Sequence, residues 1–244
     1  MKSRLVSLRP AYRFAAALLL PALLALAVLP RCLPESRPAW SALSGPVARA
    51  GTNGEKLLAL TFETLGEGRG TGRILAVLAE REVRATFFLE GRWASSHREE
   101  TRAIAAAGHE IGSHSYAHRR ALSSLSADGQ LADLARCSDL LRELTGASPA
   151  VFRPPYGLWS ESLLASAASL GMETVLWDVD AFDWREGSPQ TICRTVIDSC
   201  GPGSILRFQQ GGLSTPDALA PCLDALLAAG YRFVTVSELL AAGA

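Results

Sequence analysis

From residue 56 onward, short apolar runs alternate with longer stretches in which apolar residues recur every three or four positions. The run 57–62, apolar except for Thr61, predicts a buried strand, and the spacing over 71–81 predicts a helix after it. Further strands are expected at 85–89, 110–111, 174–177, 204–208 and 233–236. Further helices are expected at 95–107, 126–145, 160–170, 189–200 and 216–229. This alternation is typical of βαβ units that build a parallel sheet.

The predicted fold class is therefore α/β, with about seven strand–helix units. Periodicity alone does not decide whether these units close into a barrel or form an open sheet. In both architectures the carboxyl ends of the strands carry the chemistry, so polar residues at those positions are the candidates for a functional site.

The N-terminal part of the chain has the pattern of a targeting segment. Four basic residues within the first 13 positions precede the uncharged apolar run 14–29, which predicts a signal peptide or signal anchor over 1–30. The basic flank would stay in the cytoplasm, so the rest is expected to be membrane-anchored or secreted and extracytoplasmic. The Pro- and Gly-rich stretch 31–54 predicts a linker, and 55–244 a single domain.

Composition narrows the function further. Basic and acidic side chains number 24 each, and this zero net charge argues against a nucleic-acid partner, which would reward a basic face. None of the five cysteines forms a CxxC pair, so a thiolate zinc site or a redox motif is not expected. Free buried thiols are favoured over a disulfide.

Polar side chains follow several predicted strands. His114 and His118, four residues apart, can share one divalent ion, although solvated loop histidines often have the same spacing. Arg153, which precedes two prolines, can clamp a carboxylate or form a structural salt bridge. Asp183 can pair with Arg153, and the adjacent Trp184 is either a wall for a sugar ring or an ordinary core residue.

Five segments, in chain order, resemble signatures of the NodB-homology polysaccharide deacetylases, carbohydrate esterase family 4: LTFETLGEG, RATFFLEGRWA, GHEIGSHSYAH, RPPYG and WDVDAFDW. The resemblance extends over 56–240 and is nearest to the sporulation-type members of spore-forming bacteria. It implies a distorted (β/α) barrel whose groove lies at the carboxyl ends of the strands.

The resemblance also implies a chemistry. In this family an Asp-His-His set holds a divalent ion, usually zinc, which polarises an N-acetyl carbonyl and activates water. An Asp serves as the general base and a late His as the general acid. The implied metal ligands here are His114 and His118. The implied catalytic residues are Glu63, Asp183 and Arg153. The implied substrate-binding residues are Tyr156, Trp184, Pro154 and Gln209.

Three positions depart from the family pattern. The TFDD motif becomes Thr-Phe-Glu-Thr at 61–64, so Glu63 keeps a carboxylate at the base position while Thr64 replaces the metal Asp. The late strand that ends in Leu-x-His aligns with 205–209, which places Gln209 at the acid position. Glu67, on the same loop as Glu63, offers a further carboxylate.

Two functions remain open on these residues. One is a metal-dependent hydrolase, with zinc or another divalent metal, that removes N-acetyl groups from cell-wall or spore polysaccharide with a weakened mechanism. The other is a catalytically inactive glycan-binding or sporulation protein on the same fold. Both have an N-acetylated polysaccharide as partner, and both contact the membrane through the N-terminal segment.

Overall fold

The computed structural model describes residues 45–64, 70–185 and 187–243 of the 244-residue chain. The predicted targeting segment 1–30, the greater part of the predicted linker and Glu67 lie outside the described residues. Within the described part, no helix is long and apolar enough to cross a membrane.

The described residues form eight strands and eight α-helices, which alternate except where two helices or two strands follow each other. The strands are β1 Leu57–Glu63, β2 Thr86–Leu89, β3 Glu110–Ser113, β4 Val151–Phe152, β5 Glu173–Thr174, β6 Val179–Asp180, β7 Ile205–Gln209 and β8 Arg232–Val234. The helices are α1 Thr71–Glu80, α2 Gly91–Ser96, α3 Arg98–Ala106, α4 Ala127–Thr145, α5 Glu161–Ser169, α6 Pro189–Ser199, α7 Thr215–Ala228 and α8 Val236–Ala242.

The strands form one curled parallel sheet. Its order is β5-β4-β3-β2-β1-β7-β6, and β8 pairs with the first half of β1. Every ladder between these strands is parallel. Among the described residues no ladder joins β5 to β6, so the sheet is a distorted, incompletely closed barrel, as the resemblance implied.

Alternation along β1 explains how the site is built. Leu58, Leu60 and Phe62 face the large apolar cluster under the outer helices, whereas Leu57 and Ala59 belong to a second cluster. Successive side chains in a strand point to opposite faces. The last residue of β1, Glu63, therefore falls on the second face, inside the curled sheet and at its carboxyl edge.

Most of the predicted elements are present, but β4 and β6 match none of the expected strands, and the strand expected over 174–177 is the two-residue β5. Two other elements also differ. The helix expected over 95–107 is two helices, α2 and α3, because His97 between them has non-helical dihedral angles (φ −123°, ψ 54°). Residues from 236 onward form α8 rather than the end of a strand. That helix begins with a capping box in which Thr235 and Glu238 exchange hydrogen bonds.

The described end of the predicted linker packs on the sheet. The Val47 amide donates to the Thr174 carbonyl (3.0 Å), and the Val47 carbonyl accepts from Leu176 (2.7 Å). Val47 itself is buried. Residues 45–54 thus contribute to the packed domain, although proline and glycine content alone predicted a linker there. The four cysteines within the described residues are free thiols.

Candidate active site

The predicted site residues converge at the carboxyl edge of the sheet. Glu63 and Gln209 end the neighbouring strands β1 and β7, where they are paired in register. His114 follows β3, Arg153 follows β4 and Asp183 lies three residues after β6. Because all the strands run parallel, their ends open on one side of the molecule, where ligands bind in such folds.

Glu63 is the centre of a buried polar network. Its Oε1 accepts a hydrogen bond from Arg153 Nη1 (3.4 Å), and its Oε2 accepts from Arg207 Nε and Gln209 Nε2 (3.1 Å each). Burial raises the pKa of the Glu63 carboxyl, but the charges of Arg153 and Arg207 lower it by more, so the net pKa lies below its usual value. Glu63 is thus a buried carboxylate whose two oxygens are both already engaged.

The two histidines lie together with neutral rings. Their ring centroids are 4.8 Å apart. His114 Nδ1 lies 2.8 Å from the Arg153 carbonyl oxygen, which only accepts, so Nδ1 carries the proton and Nε2 the lone pair. Burial lowers the pKa of His114 to about 4, and burial also lowers that of His118. Within the described residues, the buried Nε2 of His114 has no hydrogen-bond partner. A histidine that binds a metal has the same arrangement, with one ring nitrogen bonded to a carbonyl and the other free for the ion.

A third metal ligand is missing from this arrangement. Thr64 stands at the position of the metal Asp, but its side chain is neutral. Its hydroxyl oxygen accepts a hydrogen bond from the Glu90 backbone amide (3.1 Å). Glu63 Oε2 lies 4.0 Å from His114 Nε2, but the same oxygen already accepts hydrogen bonds from Arg207 and Gln209. Among residues that the structure describes, no three His, Cys, Asp or Glu side chains are grouped to hold a metal ion. The donor set therefore does not fit the three-ligand centre typical of this fold, and the histidine pair stays a predicted half-site.

Arg207 is the functional residue that the sequence interpretation missed. From β7 its Nε donates to Glu63, its Nη1 donates to Asp180 Oδ2 (3.0 Å), and its guanidinium lies over the Trp177 ring at 4.1 Å. The Leu-x-His pattern, with its His aligned to Gln209, has leucine at position 207. A charged residue in an otherwise apolar strand was the available signal.

The expected pairing of Arg153 with Asp183 is wrong. Arg153 is fully buried and instead donates to Glu63, to Thr61 Oγ1 (2.8 Å) and to the Leu176 carbonyl (2.8 Å). The reason is the order of the sheet: β4, before Arg153, and β6, before Asp183, lie on opposite sides of β1.

Asp183 is instead tied to the end of β7. Its Oδ2 accepts the Gln209 amide (2.9 Å) and the Thr215 hydroxyl. Its buried Oδ1 has no partner in the described part of the chain. Burial raises the pKa of Asp183 to about 6, against the lowering effect of these hydrogen bonds. This carboxyl is therefore partly protonated near neutral pH.

Aromatic side chains border the polar network. The Tyr156 ring is 51% exposed and lies 4.7 Å from the His118 ring, on a backbone with φ +60°. Trp184 is 48% exposed and lies near the exposed Phe182. Pro154 is buried, so it shapes the loop rather than offering its ring to a ligand. Exposed aromatic rings beside a polar cleft suit the apolar faces of sugar rings.

Comparison with known proteins identifies the family. The polysaccharide deacetylase family model matches residues 50–175, which is more than half of the chain. The chain belongs to the polysaccharide deacetylase family, whose named deacetylases are hydrolases acting on carbon–nitrogen bonds in carbohydrate metabolism. Enzymes of this family generally depend on a metal ion.

Two relatives show the breadth of the family. The chain is 30% identical over 205 residues to the peptidoglycan-N-acetylmuramic acid deacetylase PdaC of Bacillus subtilis, covering 84% of this chain and 43% of PdaC. It is 34% identical over 202 residues to a peptidoglycan-N-acetylglucosamine deacetylase of Bacillus cereus, covering 81% and 71%. The chain thus spans less than half the length of PdaC.

A solved structure adds a second kind of relative. A CE4 family pseudoenzyme from Bacillus anthracis superposes with a TM-score of 0.77 and 31% identity, covering 80% of this chain and 69% of that one. A mutant of that pseudoenzyme with restored enzymatic activity gives the same TM-score. Structural neighbours of the chain therefore include both deacetylases and a pseudoenzyme.

Proposed function

We propose that this chain binds N-acetylated cell-wall polysaccharide in the groove beside Glu63, and that its hydrolytic centre has become a polar network that needs no metal. The observation that carries the proposal is the state of Glu63. Its two oxygens accept hydrogen bonds from Arg153, Arg207 and Gln209, and the charges of the two arginines hold the pKa of the carboxyl below its usual value. A carboxylate with a lowered pKa is a poor general base, because base catalysis is most efficient when the pKa lies near the working pH.

The other two changes at the family's catalytic positions also weaken hydrolysis. Thr64 has no charge to offer a divalent ion, and its oxygen already accepts a backbone hydrogen bond. Gln209 has no titratable proton with which to protonate a leaving amine. Binding, in contrast, needs only a shaped groove, and the exposed rings of Tyr156 and Trp184 supply its apolar surface.

The proposed location is extracytoplasmic. The basic residues before position 14 and the apolar run 14–29 support a membrane anchor or a signal peptide. A peptidoglycan or spore glycan outside the membrane is the matching partner. Release of the domain when the chain is expressed without residues 1–30, compared with membrane retention of the full chain, tests this location.

Calorimetric titration with a neutral N-acetylglucosamine tetramer tests the binding function. Trp184→Ala should weaken the affinity roughly three- to tenfold, since one lost aromatic contact is worth about 1 kcal/mol. Leu227→Ala, which removes an exposed apolar side chain on α7, is the matched control and should bind as the unmodified chain does. No binding by the unmodified chain would refute the proposal.

Metal-dependent deacetylation is the second candidate, favoured by one observation: the lone pair of His114 Nε2 is buried beside His118 without a partner. Acetate release from the same tetramer, measured with and without added zinc, separates the two functions. Zinc-dependent release that is lost in His114→Ala would establish hydrolysis. Release at the background rate in both proteins would leave binding as the function.

A further inference from the structure

An open cavity of about 350 Å³ lies next to the candidate active site and plays no part in the function proposed above. Its lining includes three arginines from three different segments: Arg92 on α2, Arg119 after β3 and Arg136 on α4. All three side chains are exposed. The cavity therefore presents several guanidinium groups to whatever enters it.

The positive charge of this cavity is not neutralised within the described residues. None of its three arginines takes part in an ion pair there, whereas other surface arginines, such as Arg73 and Arg98, do. Asp133 lines the cavity, but its Oδ1 accepts the Tyr116 amide (2.7 Å). Glu90, which is half-buried and does not line the cavity, interacts electrostatically with Arg92, and burial raises its pKa. The lining itself has three arginines and one aspartate, which leaves an excess of positive charge.

The wall of the cavity is firmly built. The Arg136 guanidinium lies 3.7 Å from the centre of the Tyr116 ring, and the Arg92 amide donates to the Tyr116 carbonyl (2.9 Å). A Cβ added at Gly91 would come within 2.4 Å of the Tyr116 ring, so glycine is required for this close packing. Cation–π contact holds Arg136 in place with part of its charge still directed outward.

The cavity and the candidate active site share one loop. Tyr116 lies between His114 and His118, so one face of the loop carries the histidines and the neighbouring residues line the cavity. A polymer chain lying in the groove would pass this loop. The cavity arginines therefore flank the same loop that carries the histidines of the groove.

We propose that this cavity binds an anionic substituent of the polysaccharide, a carboxylate or a phosphate, and so selects acidic over neutral N-acetylated glycans. The proposal rests on the glycan-binding function proposed above. Guanidinium groups recognise carboxylate and phosphate oxygens in bidentate fashion. In peptidoglycan the muramic acid sugar carries such a carboxylate, which N-acetylglucosamine lacks, and a phosphodiester wall polymer is the other source of the same chemistry.

The test compares three ligands by calorimetry on the full chain at low ionic strength. These are a neutral N-acetylglucosamine tetramer, a tetrasaccharide of alternating N-acetylglucosamine and N-acetylmuramic acid, and a glycerol phosphate oligomer. The variant is Arg119→Gln with Arg136→Gln, and the control is Arg102→Gln, an exposed arginine on α3 outside the cavity. The unmodified chain should bind the acidic tetrasaccharide roughly tenfold more tightly than the neutral one.

The double variant should lose this preference while its affinity for the neutral tetramer stays unchanged, which also shows that it is folded. The preference should also decrease with added salt, because the charges are exposed. Binding of the phosphate oligomer alone, with the same arginine dependence, would assign the site to phosphate. Equal affinity for all the sugars in the unmodified chain would overturn the anion site, while neutral binding would still support the function proposed above.

Discussion

Glu63→Gln is the substitution that most directly tests the interpretation of the site. In an enzyme whose base faces a water molecule, this change removes activity and need not reduce stability. Here the carboxylate balances Arg153, which is completely buried, and Arg207, which is largely buried. Glutamine keeps the shape but not the charge, so both guanidinium groups would lose their shared anion.

The expected cost follows from the burial of the partners. Breaking a buried ion pair by removing one partner costs about 3 to 5 kcal/mol, because the other charge is left uncompensated. Arg207 keeps Asp180 (3.0 Å), and Arg153 keeps its bonds to Thr61 and Leu176. We therefore expect the lower end of that range, a loss of about 3 kcal/mol in the free energy of unfolding.

Urea unfolding followed by tryptophan fluorescence at pH 7 measures this loss. Asp217→Asn is the matched control: it removes an exposed carboxylate paired with Arg73 and should change stability by no more than about 0.5 kcal/mol. An unchanged urea midpoint for Glu63→Gln would refute the view that this carboxylate neutralises the two arginines.

Three further predictions concern other parts of the site. The folded pKa of Asp183, about 6, lies above its ordinary value of 3.8, so the protein loses stability as the pH rises from about 4 to above 6. Asp183→Asn removes this loss, and its stabilising effect should therefore be about 2 kcal/mol larger at pH 7 than at pH 4, measured by urea unfolding at both. Thr64→Asp, Gln209→His and Arg207→Leu together should raise zinc-dependent acetate release well above that of the unmodified chain; no increase would place the defect elsewhere. Gly91→Ala should cost about 1 to 3 kcal/mol, because its Cβ meets an aromatic ring and backbone within 3.0 Å, and an unchanged melting temperature would contradict that packing.

Local signals in the sequence were sufficient to predict most of the fold. The run ending in Phe62 has the apolar character of a strand buried on both faces, and Ser126 and Gly146 mark both ends of the long helix α4. The Ser126 hydroxyl oxygen does accept the Gly129 amide, and Gly146 adopts the left-handed conformation that ends a helix. These features depend on a few neighbouring residues, so they can be predicted from a single sequence.

Contacts set by the spatial order of the strands could not be predicted in the same way. Arg153 and Asp183 both follow strands and carry opposite charges, which made their pairing a reasonable expectation. The sheet places four strands, β3, β2, β1 and β7, between β4 and β6, and neither periodicity nor motif spacing contains that order. The convergence of Glu63 with Arg207 is equally non-local, since the two residues are 144 positions apart.

The departures from the family motif make physical sense together, because each one compensates for another. A single departure would leave a buried charge or polar group without a partner. A buried carboxylate beside neutral histidines needs a compensating cation, and a metal ion provides it in a deacetylase. Without the metal Asp, Arg207 supplies that charge permanently, and Gln209 completes the hydrogen bonds of Glu63. Thr64→Asp alone would then add a carboxylate to a site where a guanidinium still holds the base. It should leave acetate release at background even with zinc, and release from this single variant would show that Arg207 does not block the chemistry.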